Sequence, residues 1–259
     1  MITFDKIVNK LLKKWWKIIF LNDIFEIVDP EKKPEYATIV NKTIYRLKSE
    51  NIIKTIRNGV YIIPNKEDEK LNEIDLIEKY YFAFVKKYIV ENIWSEYFIS
   101  GKKSLEIHLK NYSIPEKLVI INRKINKKVF IWKYQIIFKT ITAWKVNLFQ
   151  KLSCLTKSVE IQWVNFKISN LELALVETSI ISDNLEWIDI ELISKAIKKY
   201  AKFFEIEHFY VIWELKYIMA FNRLKEISKN LDEKLYQVFL DIIKKNWWLF
   251  IGEWLRKII

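Results

Sequence analysis

A chain of 259 residues, 51% hydrophobic and 29% charged, has the composition of a folded protein and the length for two domains, which excludes a disordered tail or a small disulfide scaffold. No apolar run approaches the roughly eighteen residues of a membrane span, and one cysteine, Cys154, with only His108 and His208 beside it, excludes an internal disulfide and argues against a zinc site. The net charge of +12 is uneven, +6 over residues 1–66 and +11 over residues 101–158, a distribution that suits a polyanionic partner.

The opening M-I-T-F-D-K-I-V-N-K-L-L-K-K has helical spacing over residues 3–14 and lacks the apolar block and cleavage site of a secretory leader, so the cytoplasm is the expected compartment. Lys17–Leu21 reads as a short strand. Asn22 or Asp23 then caps a short helix carrying Ile24, Phe25 and Val28. After a polar turn over residues 29–34, Pro34 introduces a third helix in which Val40, Ile44 and Leu47 make an apolar stripe. Asn51 stops it. Ile52–Arg57 and Val60–Ile63 are β-branched runs parted by Asn58-Gly59, which predicts a hairpin with a type I′ turn. Helix, strand, helix, turn, helix and hairpin is the order of a winged helix-turn-helix. The predicted N-terminal domain is therefore residues 1–66, DNA-binding, with the third helix entering the major groove.

Asn65–Lys70 is a charged boundary. Leu71–Asn92 is a long amphipathic helix connecting to, or opening, a second domain over residues 67–259. Tyr97–Ile99 reads as a strand ending at Ser100-Gly101, followed by a helix with Leu105 and Leu109. Strands are expected at Leu118–Asn122, Lys128–Lys133, Tyr134–Ile141, Lys145–Phe149 and Val159–Ile168. Ser169 and Glu172 fit a capping box ahead of a helix, and helices follow at Asp189–Phe203 and, about three of them, from Leu215 onward. The fold class is α+β: a winged helix, then a second α+β domain with a small sheet and a helical C-terminal part.

Three blocks, R-L-K-S-E-N-I-I-K-T-I-R-N-G-V-Y-I-I-P (Arg46–Pro64), Y-F-I-S-G-K-K-S-L-E-I-H-L (Tyr97–Leu109) and N-L-E-L-A-L-V-E (Asn170–Glu177), stand in the order found in the AbiEi-type antitoxin and transcriptional-regulator family, which the chain resembles over residues 1–180. The resemblance implies an autorepressor that reads inverted repeats in its own promoter, with a homodimer on DNA as one arrangement. It also implies a nucleotidyltransferase-like toxin, encoded nearby, as the functional partner in a type IV abortive-infection pair. No cofactor, metal or membrane partner is implied.

For base reading the residues are Thr38, Asn41, Lys42, Tyr45 and Arg46 on the polar face of the third helix. Asn pairs with adenine, and Arg or Lys with guanine. Lys54, Arg57 and Asn58 are the phosphate-contact candidates of the wing. No catalytic residue is expected in this reading. The competing reading is a metal-dependent nuclease, with Phe209–Trp213 as a strand leading into Glu214-Leu215-Lys216, and Asp183 or Asp189 sharing the metal. A third is an adaptor whose winged helix binds protein.

One compositional fact stands apart. The chain holds 3 glycines and 11 tryptophans, whereas average usage would give roughly 18 glycines. Trp15-Trp16, Trp144 and Trp247-Trp248 stand where a turn or helix stop is wanted, and Trp254 follows close behind the last pair. The expectation is that UGA codons meaning glycine have been written as tryptophan.

Overall fold

The computed structural model describes residues 2–14, 17–29, 36–140, 146–180, 189–215 and 217–245. It is α+β, with eleven α-helices and two sheets among the described residues. None of those helices is long and apolar enough to cross a membrane. Contacts divide the chain into two units.

The first unit comprises residues up to Ser95 with two short segments, Val129–Gln135 and Ile161–Val164. Its elements are α1 (Phe4–Leu12), β1 (Ile18–Phe20), α2 (Leu21–Val28), α3 (Ala37–Ser49), β2 (Lys54–Arg57), β3 (Val60–Ile62), a 3-10 turn (Lys66–Lys70) and α4 (Glu73–Asn92). Ile7 and Leu11 of α1, Ile24 and Ile27 of α2, and Val40, Ile44 and Leu47 of α3 bury one core with Ile19, Ile53 and Tyr61. Each helix contributes one face at 3.6-residue spacing, so the core holds three helices against one side of a sheet.

That sheet runs β1-β3-β2, both pairs antiparallel, with Ile18 and Lys54 flanking Ile62. The predicted type I′ turn is corrected: Gly59 alone takes a positive φ, 75°, and the register slips between Thr55 and Arg57. A bulge thus does what a second left-handed residue would do in a type I′ turn. The cap of α2 is corrected too. Phe20 holds the N-cap position, and its N–H donates to the Asp23 carboxylate at 2.7 Å.

Unit 1 extends past residue 66 because α4 is bonded into it. Lys87, only 3% exposed, donates to the carbonyl of Ile18 at 2.9 Å and to the Asp23 carboxylate, which also takes the Lys14 ammonium. Burial alone would raise the Asp23 carboxyl, but hydrogen bonds from Lys14, Lys87 and the Phe20 N–H hold it below the usual range. Asp68, fully buried, is a second clasp. It accepts from Asn65 N–H at 2.6 Å, Lys79 at 2.6 Å and the Tyr80 hydroxyl at 2.7 Å.

The second unit holds β4 (Tyr97–Ile99), α5 (Gly101–His108), β5 (Lys117–Asn122), the start of β6 (Lys127–Ile131), most of β7 (Tyr134–Thr140), α6 (Val146–Cys154), most of β8 (Thr156–Ile161) and β9 (Val164–Ser169), and α7 (Leu171–Thr178). It continues with α8 (Ile190–Tyr200), α9 (Ile206–Trp213), α10 (Ile218–Ser228) and α11 (Glu233–Lys245). Its sheet has the order β6-β7-β5-β4-β9-β8, β4 antiparallel to β5 and parallel to β9. Phe209, Phe221 and Phe239, with ring centroids 5.0 to 6.4 Å apart, knit α9, α10 and α11 into one helical core.

Four expectations change here. Of the strand expected at Lys145–Phe149, Val146 onward is helix, the start of α6, and Lys145 lies outside the described residues. Val159–Ile168 is two strands joined by the turn Gln162-Trp163. Asn170, not Ser169, caps α7, accepting from Leu173 N–H at 2.9 Å. Phe209–Trp213 is helix, within α9.

Candidate nucleic-acid interface

The helix α3 is fixed by its buried stripe and by a tight end. Asn51 sits in the left-handed region (φ 54°). The N–H of Ile52 reaches back to the Leu47 carbonyl at 2.9 Å, and that of Asn51 to Lys48 at 3.0 Å. This is a Schellman closure, which leads the chain straight into β2. With Val40, Ile44 and Leu47 committed to the core, the opposite face is left to solvent. Thr38, Asn41, Lys42, Tyr45 and Arg46 are all exposed, Tyr45 at 76%. An aromatic side chain so bare on a rigid helix is uncommon, since such rings are mostly half-buried or more.

Arg46 is held at its base. Its Nε donates to Glu50 at 2.8 Å, and its guanidinium lies 3.8 Å from the centroid of the Phe4 ring. Beside this face is a concavity of about 330 Å³ whose lining includes Phe4, Val28, Tyr36, Lys42, Thr43 and Arg46. Its walls are mixed: Ile2, Ile7 and Ile39 add to the apolar part, while Lys42 and Arg46 bring two cations and Asp29 a carboxylate.

The hairpin β2–β3 supplies the second set. Arg57 and Asn58 are exposed at the turn, and Arg57 Nη1 donates to the Phe130 carbonyl at 2.8 Å. Lys54 is half-buried, and its ammonium donates to the Asp68 carbonyl at 3.0 Å. Sequence reasoning groups Lys54 with the phosphate contacts; in the structure one of its N–H groups is engaged in the clasp around Asp68. Nothing in the sequence signals that, because the partner lies fourteen residues away behind a turn.

The remaining titratable candidates are engaged elsewhere. In unit 2, His108 is buried with Nε2 2.9 Å from the Ser169 carbonyl. Burial, which outweighs that bond, pushes the ring down to about 4. Ser104 donates to the same carbonyl at 3.0 Å. Glu177, buried, accepts from Gly101 N–H at 2.9 Å and the Ser169 hydroxyl at 2.7 Å. Burial still pushes it up to about 6. Gly101 reaches that carboxylate from a left-handed φ of 66°, which glycine allows without strain. His208 faces Glu172 at 3.3 Å and Glu205 at 3.4 Å, and Cys154 is exposed.

Glu214 follows a helix rather than a strand and pairs with Lys151 at 3.4 Å, while Asp189 caps α8 and pairs with Lys102 at 3.1 Å. Lys216 and Asp183 lie outside the described residues. No group of three His, Cys, Asp or Glu placed to hold a metal occurs among the described residues. Strand-borne presentation of Glu-x-Lys, on which the nuclease reading depends, is therefore absent at this position.

No protein-family model matches the chain, and no curated protein matches it.

Proposed function

We propose that the protein is a DNA-binding transcriptional autorepressor acting as the antitoxin of a type IV toxin–antitoxin pair, with unit 1 as a winged helix-turn-helix. The observation that carries the reading is the outward face of α3, where Asn41, Lys42 and Tyr45 are bare, followed directly by a hairpin with Arg57 and Asn58 exposed at its tip. Three helices against a β1-β3-β2 sheet supply the order such a domain has. In it α3 would read base edges and the hairpin would touch phosphates. The concentration of positive charge in residues 1–66 supports the same partner. The antitoxin role, the neighbouring toxin and the promoter repeats rest on the resemblance of the three sequence blocks.

The test is binding of the full-length protein to duplex DNA from upstream of its own gene, set against a shuffled duplex. Preference of at least tenfold for the promoter, lost in Asn41→Ala with Tyr45→Ala, is the expected result. Equal binding of both duplexes, or none, sinks the repressor. Binding of a protein partner through α3 without DNA would instead establish the adaptor.

A further inference from the structure

Eight described residues have a positive φ, and two are glycines, Gly59 and Gly101. Of the six others, Asn51, Trp94, Lys110, Trp132, Gln162 and Trp163, half are tryptophan. Only four tryptophans fall among the described residues, so three of the four occupy backbone that L side chains avoid. For a bulky residue the left-handed region brings Cβ against the following carbonyl oxygen.

Each of the three stands where a specific device asks for glycine. Trp94 (φ 74°) ends α4, its N–H returning to the Ile89 carbonyl at 2.9 Å, the position at which helices are closed by glycine. Gln162 and Trp163 (φ 48° and 67°) are the two central residues between β8 and β9, the signature of a type I′ turn, whose second residue is glycine by preference. Trp132 (φ 51°) is the first of the two residues between β6 and β7, the glycine position of a type II′ turn. None of the three indoles is buried: they are 67%, 52% and 92% exposed for Trp94, Trp132 and Trp163. Trp213 shows what an ordinary tryptophan does in the same fold. It ends a helix, is 8% exposed, and packs edge-on against Phe221 at 5.3 Å.

We infer that the cell encoding this protein places glycine at positions 94, 132 and 163, reading UGA there as glycine. The inference is independent of the DNA-binding reading. It removes three exposed indoles from the native surface. The positions that composition alone picked out, Trp15, Trp16, Trp144, Trp247, Trp248 and Trp254, lie outside the described residues.

Two experiments test it. In the gene, UGA at all three codons is expected, and UGG at all three overturns the inference. In the full-length protein, Trp94→Gly, Trp132→Gly and Trp163→Gly should each raise the melting midpoint by about 2–4 °C. The matching Ala variants, which remove the indole but keep Cβ, should gain less, and Trp213→Gly should lower the midpoint. Should Ala do as well as Gly at all three turns, the backbone is not the cause and the inference fails.

Discussion

On the proposed function, the salt dependence of DNA binding would separate the cations of unit 1 by what the structure has done with them. Each phosphate neutralised by a lysine or arginine adds about 0.9 to the slope of log affinity against log salt. Lys42 is exposed on α3, and Arg57 is exposed at the hairpin with one guanidinium nitrogen spent on the Phe130 carbonyl. Lys54 donates to the Asp68 carbonyl, and Arg46 is paired with Glu50. Lys42→Gln and Arg57→Gln should therefore each flatten the slope by about 0.9, and the double variant by about 1.8. Over a fourfold rise in salt, each lost contact leaves the variant about 3.5-fold less salt-sensitive than wild type. Arg46→Gln should flatten the slope by less than a full contact, and Lys54→Gln should leave it unchanged. Fluorescence anisotropy of a labelled promoter duplex, titrated with full-length protein at four salt concentrations, gives these slopes. A double variant with the wild-type slope would falsify the assignment of Lys42 and Arg57. A shallower slope in Lys54→Gln would show that the Asp68 clasp opens on DNA.

Other outcomes follow from the buried polar groups and the cap of α3. Lys87→Met removes one of the two ammonium partners of the buried Asp23 carboxylate, leaving Lys14 and the Phe20 N–H, and should cost about 1–3 kcal/mol in urea unfolding, whereas adding Asp23→Asn should recover part of that; additive losses would mean the pair is not coupled. Asn51→Ala should lose about 1 kcal/mol and Asn51→Gly none, because only the first strains the left-handed closure; equal losses would point to the side chain instead. His108, held down to about 4 from 6.5, contributes stability that is whole above pH 6.5 and lost as the pH falls toward 4. Glu177, pushed up to about 6 from 4.5, does the reverse: its contribution is whole below pH 4.5 and lost as the pH rises through 6. Between these limits the two slopes oppose, so Glu177→Gln should uncover a fall of about 1.4 kcal/mol per pH unit from pH 6 to 4.5 relative to wild type. An unchanged pH profile of the urea midpoint rules that coupling out.

What the sequence disclosed depended on whether burial followed a single period. The helix α3 and the hairpin were legible because Val40, Ile44 and Leu47 are apolar on one face only, and because Asn58-Gly59 is a strong turn signal. Phe209–Trp213 misled for the opposite reason. Phe209, Ile212 and Trp213 are buried at i, i+3 and i+4, but Tyr210 and Val211 between them are also apolar while facing partly outward. That pattern hides the helical spacing inside a continuous run. Val159–Ile168 looked like one strand because Gln162-Trp163 carries no turn residue as written. Lys54 and Lys87 could not be assigned from spacing at all, since their partners are Asp68 and Asp23, fixed by tertiary structure.

The buried knot in unit 2 bears on how the resemblance should be weighed. Ser100, Gly101, Ser104 and His108 come from one of its sequence blocks, and Glu177 from another, with Ser169 just ahead of that block. The structure closes them around the Ser169 carbonyl and the Glu177 carboxylate. A buried carboxylate held by backbone and hydroxyl donors, and a buried histidine against a carbonyl, are fastenings between α5, β9 and α7. These two blocks therefore encode how the second unit packs, and would do so whatever the first unit touches. The functional content of the resemblance rests on the remaining block, Arg46–Pro64, which holds the end of α3 and the hairpin. On the proposed function, variants at Arg57, and at Asn41, Lys42 and Tyr45 just ahead of that block in α3, test DNA contact, while those at His108 and Glu177 test the packing of the second unit.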